Sequence, residues 1–283
     1  MNSNLTWNKQ EVLQSPLLAP LHPVISIFED DYFPSIEVCN ALLDKQRPSI
    51  TVQQGQPLRF VKQALGKQSF ESQYEPRCYL KGEVQMREAN WHDLLNALVW
   101  LTFPKSKAAI NALHYHALTN VVVNRTSSQR GVVRDVNTLL DESGVIVVCS
   151  DTELEKLLRS FQWQELFWQR REHVKSNMGF YIFGHGLYEK ALSPYIGMTG
   201  QGVVLSVTQS FFAWPLPQQL AYIDECLAKN LNEPSHYANT CDLAPVPLLG
   251  VPGWHQENEN QLFYSNANYF RAGRLKFAQE GTG

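Results

Sequence analysis

The sequence predicts an α+β fold: a single helix-rich domain with a buried antiparallel helical hairpin and a small mixed sheet. Three observations predict it. Apolar residues make up 44% of the 283 residues and charged residues only 18%, which is ample material for a large core. A proline-marked turn joins two consecutive helical patterns, the first of them apolar nearly all round. The short strand patterns do not alternate regularly with helices, which argues against a doubly wound sheet.

The N-terminal part of the chain is rich in proline. Residues 1–80 are therefore predicted to be an irregular segment of loops and short helices, such as one from Ile36 to Leu43. This segment would wrap a main body at 81–273, and the two together would form one domain over 1–283.

The hairpin carries the clearest local signals. Asn90 can cap the start of a helix, and Asp93 three residues later can complete a capping box. This first helix is predicted from Trp91 to Thr102. Proline suits the first turn of a helix, so a second helix should begin at Pro104 and reach about Leu118.

The remaining elements follow from hydrophobic periodicity and from turn residues. Strands are predicted at 120–123, 145–149, 179–183 and 203–207. Helices are predicted at 134–141, 150–173 with a break near Phe161, 186–192 and 218–230. Residues 245–254 read as a packed, proline-rich loop.

Charge and hydropathy exclude several classes of protein. Lys and Arg number 24 against 27 Asp and Glu, and the net charge of -3 argues against general nucleic-acid binding. The longest apolar run, Leu94 to Phe103, is about half of the roughly 20 residues that span a bilayer, so we expect no membrane association. The N-terminus lacks the basic and apolar parts of a secretory signal, which predicts a cytoplasmic protein.

Common catalytic signatures are absent from the sequence. There is no P-loop, no Gly-x-Ser-x-Gly elbow and no His-Glu-x-x-His, which leaves nucleotide hydrolase, α/β-hydrolase and zincin hypotheses without support. The five cysteines form no Cys-x-x-Cys pair, so neither a zinc ribbon nor a catalytic cysteine is predicted.

Polar residues occupy hairpin positions where a buried helix should have none. His92 and Asn96 share one face of the first helix, and Lys107, Asn111 and His114 follow helical spacing on the second. Both histidines lie eleven residues from Phe103, about 16 Å from the turn, so antiparallel packing would bring them to one level. The alternative is that each polar residue caps a helix, bonds a nearby backbone group or faces solvent.

Two further clusters carry candidate chemistry. His185 and Glu189 are four residues apart at a helix start, where they can bind a metal, or the glutamate can orient the imidazole; the alternative is a local stabilising pair. Arg134 can clamp a phosphate or carboxylate, and Asp141 or Glu142 can join histidines around a divalent cation. The alternative is a solvated loop followed by a helix-terminal acidic turn, and it applies more to Glu142 than to Arg134.

Several strings of the sequence resemble a bacterial family known as domain of unknown function 3025. They are GEVQMREANWHDLLNALVWLTFPKSKAAINALHYH, RDVNTLLDESG, FGHGLYEKALSPYIGMTG, PVPLLGVPGW and FYSNANYFR. The resemblance extends over about residues 20 to 272. It implies one full-length domain of bacterial origin, and it transfers no activity and no catalytic residue.

These clusters predict a hydrolase-like enzyme, metal-assisted or based on histidine and carboxylate, that acts on a small polar or phosphorylated molecule. A divalent metal is the candidate cofactor and a small molecule the expected partner. The predicted catalytic residues are His185, Glu189, His92 and Asp93; the predicted substrate-binding residues are Arg134, Lys107, Asn96 and Asn111; the predicted metal ligands are His92, His114, His185 and Asp141.

Within this mechanism the metal-bound water is the nucleophile and Glu189 is the general base. Arg134 and Lys107 would neutralise charge that develops on the substrate. The alternative is a non-enzymatic small-molecule-binding or assembly protein, in which the same groups satisfy one another. A third hypothesis, an RNA-associated factor that uses Arg125, Arg130 and Arg134, is disfavoured by the acidic charge balance.

Overall fold

The structure, a computed structural model, describes residues 6–29, 32–64, 66, 69–123, 128–233 and 239–273, with only the backbone for 120–123 and 128–135. Helices surround two small sheets, which confirms the α+β class. The helices are α1 (Lys9–Gln14), α2 (His22–Ile25), α3 (Ile36–Lys45), α4 (Tyr74–Lys81), α5 (Trp91–Thr102), α6 (Pro104–Val123), α7 (Ser128–Ser143), α8 (Thr152–Arg159), α9 (Arg171–Asn177), α10 (His185–Ala191) and α11 (Leu216–Leu231). The strands are β1 (Arg59–Lys62), β2 (Glu83–Met86), β3 (Gly144–Cys149), β4 (Met178–Ile182), β5 (Thr199–Ser206) and β6 (Ala244–Pro247).

The N-terminal segment is more regular than its prolines predict. It contains α1 to α4 and the strand β1, which pairs in parallel with β2 of the main body. Side chains such as Leu18, Leu21 and Ile25 are fully buried in the common core. The missed strand has a physical reason, since four residues paired with a distant partner leave little local signal.

The predicted hairpin is present and buried. The side chain of Asn90 accepts a hydrogen bond from the Asp93 backbone N–H at 3.1 Å, so Asn90 caps α5 as predicted. The Asp93 carboxylate does not complete a capping box, because it accepts instead from the backbone N–H of Arg87. Only Phe103 separates α5 from α6, and the two helices contact each other. None of the described helices combines the length and the apolar character that crossing a bilayer requires.

The predicted strand at 120–123 is wrong. These residues continue α6, which runs 20 residues from Pro104 to Val123. Valine favours strands intrinsically, and residues 121–123 are all valine. However, adding one residue to a helix that is already formed costs less free energy than nucleating a new element, so α6 continues through them.

A four-stranded mixed sheet in the order β4-β3-β5-β6 lies at the centre of the main body. Strand β3 is buried at every position, and it pairs antiparallel with β4 and parallel with β5. The predicted loop at 245–254 is wrong at its start, since residues 244–247 form strand β6 and pair with β5. Pro245 and Pro247 cannot donate backbone hydrogen bonds, and an edge strand accommodates them.

The antiparallel pairing of β3 and β4 positions the candidate site. Val145 at the start of β3 lies opposite Ile182 at the end of β4, and the N–H groups of Phe183 and Gly184 both donate to the Gly144 carbonyl at 2.9 Å. The end of α7 therefore lies beside the start of α10. Helix α5 packs against α10 and completes the wall of the site.

Candidate functional site

A cleft of about 470 Å³ opens where α5, α7 and α10 meet. Its polar lining consists of His92, Glu142, Ser143, Glu189, Lys190 and Ser193. Trp91, Leu192 and Tyr195 contribute apolar surface to the same cleft. This volume and this mixture of polar and apolar groups suit a small molecule.

Three side chains at the base of the cleft converge on one point. One ligand atom each from His92, Glu142 and His185 lies within 4.8 Å of the other two, and we call these residues the donor triad. The two imidazole Nε2 atoms are 3.1 Å apart, and Glu142 Oε1 lies 3.5 Å from His185 Nε2. The triad combines one residue from each of three elements that are distant in sequence.

Close approach of the backbones makes this convergence possible. A Cβ atom at Gly186 would overlap the carboxylate of Glu142, and one at Gly184 would overlap the backbone at Glu142 and Ser143. Glycine is therefore required at position 184 to seat α10 against the end of α7, whereas a Cβ atom at position 186 would displace the Glu142 carboxylate from its place beside His185. This agrees with the close approach that the Gly-His-Gly sequence predicts.

A carboxylate hydrogen-bonds the second ring nitrogen of His92. His92 Nδ1 is 2.9 Å from Glu189 Oε2, whereas His185 Nδ1 lies 3.8 Å from Asp141 Oδ2, beyond hydrogen-bond distance, and has no hydrogen-bond partner among the described residues. A carboxylate accepts hydrogen bonds, so Nδ1 of His92 carries the proton and its Nε2 presents a lone pair to the cleft. This carboxylate–histidine arrangement is the usual support of histidine metal ligands.

Burial and neighbouring charges set the protonation of the site. Burial lowers the pKa of His185, Asp141 opposes this effect and the ammonium of Lys107 adds to it, and the resulting pKa of about 4 leaves the imidazole neutral at pH 7. Burial opposes ionisation of Asp141, but the Lys107 charge outweighs it and holds the Asp141 pKa at about 2. Burial raises the pKa of Glu142 above its ordinary value.

The sequence pattern of one family covers this whole region. The family described as Protein of unknown function (DUF3025) matches residues 58–274, well over half of the chain. The chain belongs to this family. No curated protein and no solved structure matched the chain. Because the DUF3025 description assigns no activity, the functional argument rests on the geometry of the site.

Behind the cleft, the DUF3025 region contains a second group of polar side chains, which we call the interior cluster. Its members are Tyr74, Glu75, Asn96, Lys107, Asn111, His114 and Asp141. Lys107 is almost fully buried, donates to Asp141 and lies 5.8 Å from the centre of the Trp100 ring. Asp141 thus connects the interior cluster to His185 of the donor triad.

The interior cluster contains five residues that the sequence assigned to substrate or metal, namely Asn96, Lys107, Asn111, His114 and Asp141. Asn96 donates to the Tyr74 hydroxyl at 2.6 Å, and Asn111 donates to Glu75. His114 Nδ1 lies 3.7 Å from Glu75 Oε1 rather than beside His92. The reason is rotation of the helices: α5 presents His92 to α10, whereas α6 presents His114 to α4. None of Asn96, Lys107 and Asn111 lines the cleft as the structure describes it.

The other predicted residues divide between the cleft and the surface. His185 and His92 belong to the donor triad. Glu189 lies beside the triad, where it pairs with His92 rather than with His185. Asp93 is engaged by the Arg87 guanidinium through two contacts of 2.8 Å, outside the cleft lining. Arg134 lies in α7, and its side chain is outside the described residues.

Sequence reasoning undervalued Glu142 and did not select Glu75. The sequence offers Glu142 as a metal ligand, with a solvated acidic turn as the alternative. The useful signal was its position relative to His185: one residue precedes β3 and the other follows β4, and antiparallel pairing makes them neighbours. Glu75 lies in α4 and carries no motif that marks it as buried.

Proposed function

We propose that this chain is a metal-assisted, hydrolase-like enzyme in which His92, His185 and Glu142 hold a divalent cation. The cation would sit at the base of the cleft and present a bound water to a small polar substrate. The proposal keeps two of the four ligands predicted from the sequence and replaces His114 and Asp141 with Glu142.

The spacing of the donor triad is the observation that supports a cation most directly. Metal–nitrogen bonds of about 2.0–2.1 Å at tetrahedral or octahedral angles place neighbouring ligand atoms roughly 3 Å apart. The Nε2 atoms are 3.1 Å apart, and the carboxylate oxygen is 3.5 Å from one of them. With the Nδ1 proton of His92 donated to Glu189, the Nε2 lone pair of His92 and the Glu142 carboxylate would both face the His185 imidazole, and a cation held among the three would neutralise them.

The ligand set favours catalysis over a purely structural metal. Structural zinc sites are usually closed by four protein ligands, whereas catalytic sites use three and leave a position for water. A bound cation lowers the pKa of that water to about 7 and so supplies hydroxide at neutral pH. Glu189 lines the cleft beside His92 and is the candidate acceptor for the water proton.

Elemental analysis of the untagged protein, purified without chelator, tests the proposal. We expect about one metal ion per chain in the parent and its loss in His92→Ala and in Glu142→Gln. His114→Ala and His173→Ala are matched controls that should retain the metal. His173 pairs with Asp151 and lies outside the cleft lining.

Two further measurements complete the test. Circular dichroism must show that the variants fold, and metal-dependent hydrolysis is then sought among phosphoesters and amides. A parent that stays metal-free after incubation with zinc, manganese or iron and desalting would refute the proposal in favour of a non-enzymatic binding protein. Loss of the metal in His114→Ala would instead favour the ligand set predicted from the sequence.

A further inference from the structure

Lys190 is a cation in the cleft with no acidic partner among the described residues. It follows Glu189 directly in α10, is exposed, and lines the cleft together with the triad residues His92 and Glu142. The other lysine near the site, Lys107, is paired with Asp141 in the interior cluster.

The charges around the proposed cation leave Lys190 uncompensated. Glu142 and Glu189 together would balance a divalent ion, and Lys107 is paired with Asp141. The loaded cleft would therefore carry one surplus positive charge at Lys190. A partly enclosed site with a surplus positive charge attracts and orients an anionic ligand.

The same cleft offers apolar surface for the rest of a ligand. Trp91 is half-buried, and its ring stacks on Trp7 at 5.5 Å, which fixes its orientation. Tyr195 is 52% exposed and lines the cleft, as does Leu192. Aromatic side chains that are exposed in a cleft are well suited to pack against a planar or apolar group.

We propose that the substrate is a small molecule with one negative charge, which binds Lys190, and an apolar or aromatic portion, which packs against Trp91 and Tyr195. This inference rests on the proposed function, because the charge argument requires the cation. A carboxylate and a phosphate-type group share the chemistry that Lys190 recognises. The substrate would then place the bond that is hydrolysed next to the metal-bound water.

Calorimetric titration of zinc-loaded protein with four probes tests the inference. The probes are benzoate, phenylphosphonate, benzamide and benzylamine, which present the same ring with two kinds of anion, a neutral group and a cation. We expect the anions to bind roughly tenfold more tightly than benzamide, as a charge-assisted contact predicts. The ratio of benzoate to phenylphosphonate affinity tells which anion the site prefers.

Two lysine variants identify the group that binds the anion. Lys190→Met should lose the preference for anions over benzamide while keeping its zinc, and Lys229→Met, an exposed lysine on α11, should keep both. Equal benzoate binding in Lys190→Met would overturn the inference, because the anion would then bind the metal itself. Metal content separates the two proposals. A parent that binds none of zinc, manganese and iron refutes both, whereas a metal-loaded parent that binds the anions no more tightly than benzamide refutes only this one.

Discussion

His185 is the residue at which the cleft and the interior cluster meet. Its Nε2 faces His92 and Glu142, and its Nδ1 faces Asp141, which is itself paired with buried Lys107. Burial keeps the imidazole neutral by lowering its pKa to about 4. A neutral imidazole can offer a lone pair to a metal, so the environment that penalises its charge also suits it to ligation.

Glu189 is predicted to act through His92. Removal of its carboxylate in Glu189→Ala leaves the His92 ring without its 2.9 Å partner. We expect zinc affinity to fall roughly 10–100-fold, as is usual when such an outer carboxylate is lost. Glu189→Gln keeps an acceptor and should lose less, and Glu172→Ala, an exposed glutamate paired with Lys175, should lose nothing. Competition with a fluorescent zinc chelator measures the affinity, and unchanged binding in Glu189→Ala would contradict the prediction.

Glu75 gives a prediction on pH and stability. Burial raises its pKa, so the folded protein binds this proton more tightly than the unfolded chain does. The ionised carboxylate therefore lowers stability at neutral pH, and this penalty fades as the pH falls through the folded pKa. Relative to the parent, Glu75→Gln should gain unfolding free energy at about pH 7.5 and gain less at about pH 5.

Urea unfolding of the parent and the variant at both pH values measures this difference. Glu172→Gln serves as the exposed control and should show no such trend. A gain for Glu75→Gln that increases toward low pH would show that the pKa of Glu75 is lowered rather than raised.

At the scale of elements, the hairpin depends on a contact from another helix. The carboxylate of Asp224 in α11 accepts the backbone N–H groups of Lys105 and Ser106 at 3.0 and 2.8 Å, in the first turn of α6. Ser106 also donates its hydroxyl proton to the Asp224 carbonyl. Because Pro104 has no N–H, these bonds satisfy the next two unpaired donors of the helix.

Asp224→Ala should destabilise the protein by about 2 kcal/mol, because two buried N–H groups lose their acceptor. Its neighbour Glu225 forms an exposed ion pair with Lys105, so Glu225→Ala should have little effect. Thermal and urea unfolding compare the two variants. Equal stabilities for Asp224→Ala and Glu225→Ala would show that the cap contributes nothing.

The boundaries of elements were predictable where their signals are local. Asn90 and Pro104 fix the start of α5 and of α6, and both begin where the sequence predicts. The break near Phe161 is also confirmed, since Phe161 adopts a positive φ of 61° between α8 and the π-helical turn Glu165–Gln169. Strand β1 and the C-terminal end of α6 were missed, because partners distant in sequence or the continuing helix decide them.

At the scale of the whole molecule, a bound cation would connect three distant parts of the chain. His92, Glu142 and His185 come from α5, α7 and α10, and no two of them share an element. A ligand that binds the folded chain alone stabilises it, by about 2.7 kcal/mol at one hundred times its dissociation constant. Zinc should therefore raise the unfolding free energy of the parent, and a chelator should reverse the gain.

His92→Ala is the decisive variant for this prediction. It should fold and yet show no gain in unfolding free energy when zinc is added. A gain equal to that of the parent would mean that zinc binds elsewhere on the chain.

The sequence by itself determined the fold class, the hairpin and the core of the central sheet, and it selected three side chains that lie at or beside the candidate cleft, His92, His185 and Glu189. These follow from local spacing, capping and hydrophobic periodicity, which act over a few residues. Only the tertiary structure decided which polar groups meet. The rotation of α5 and α6 sends His92 and His114 to different neighbours, and the pairing of β3 with β4 brings Glu142 to His185. Helix rotation and strand pairing depend on packing across the whole core, and no short stretch of sequence encodes them.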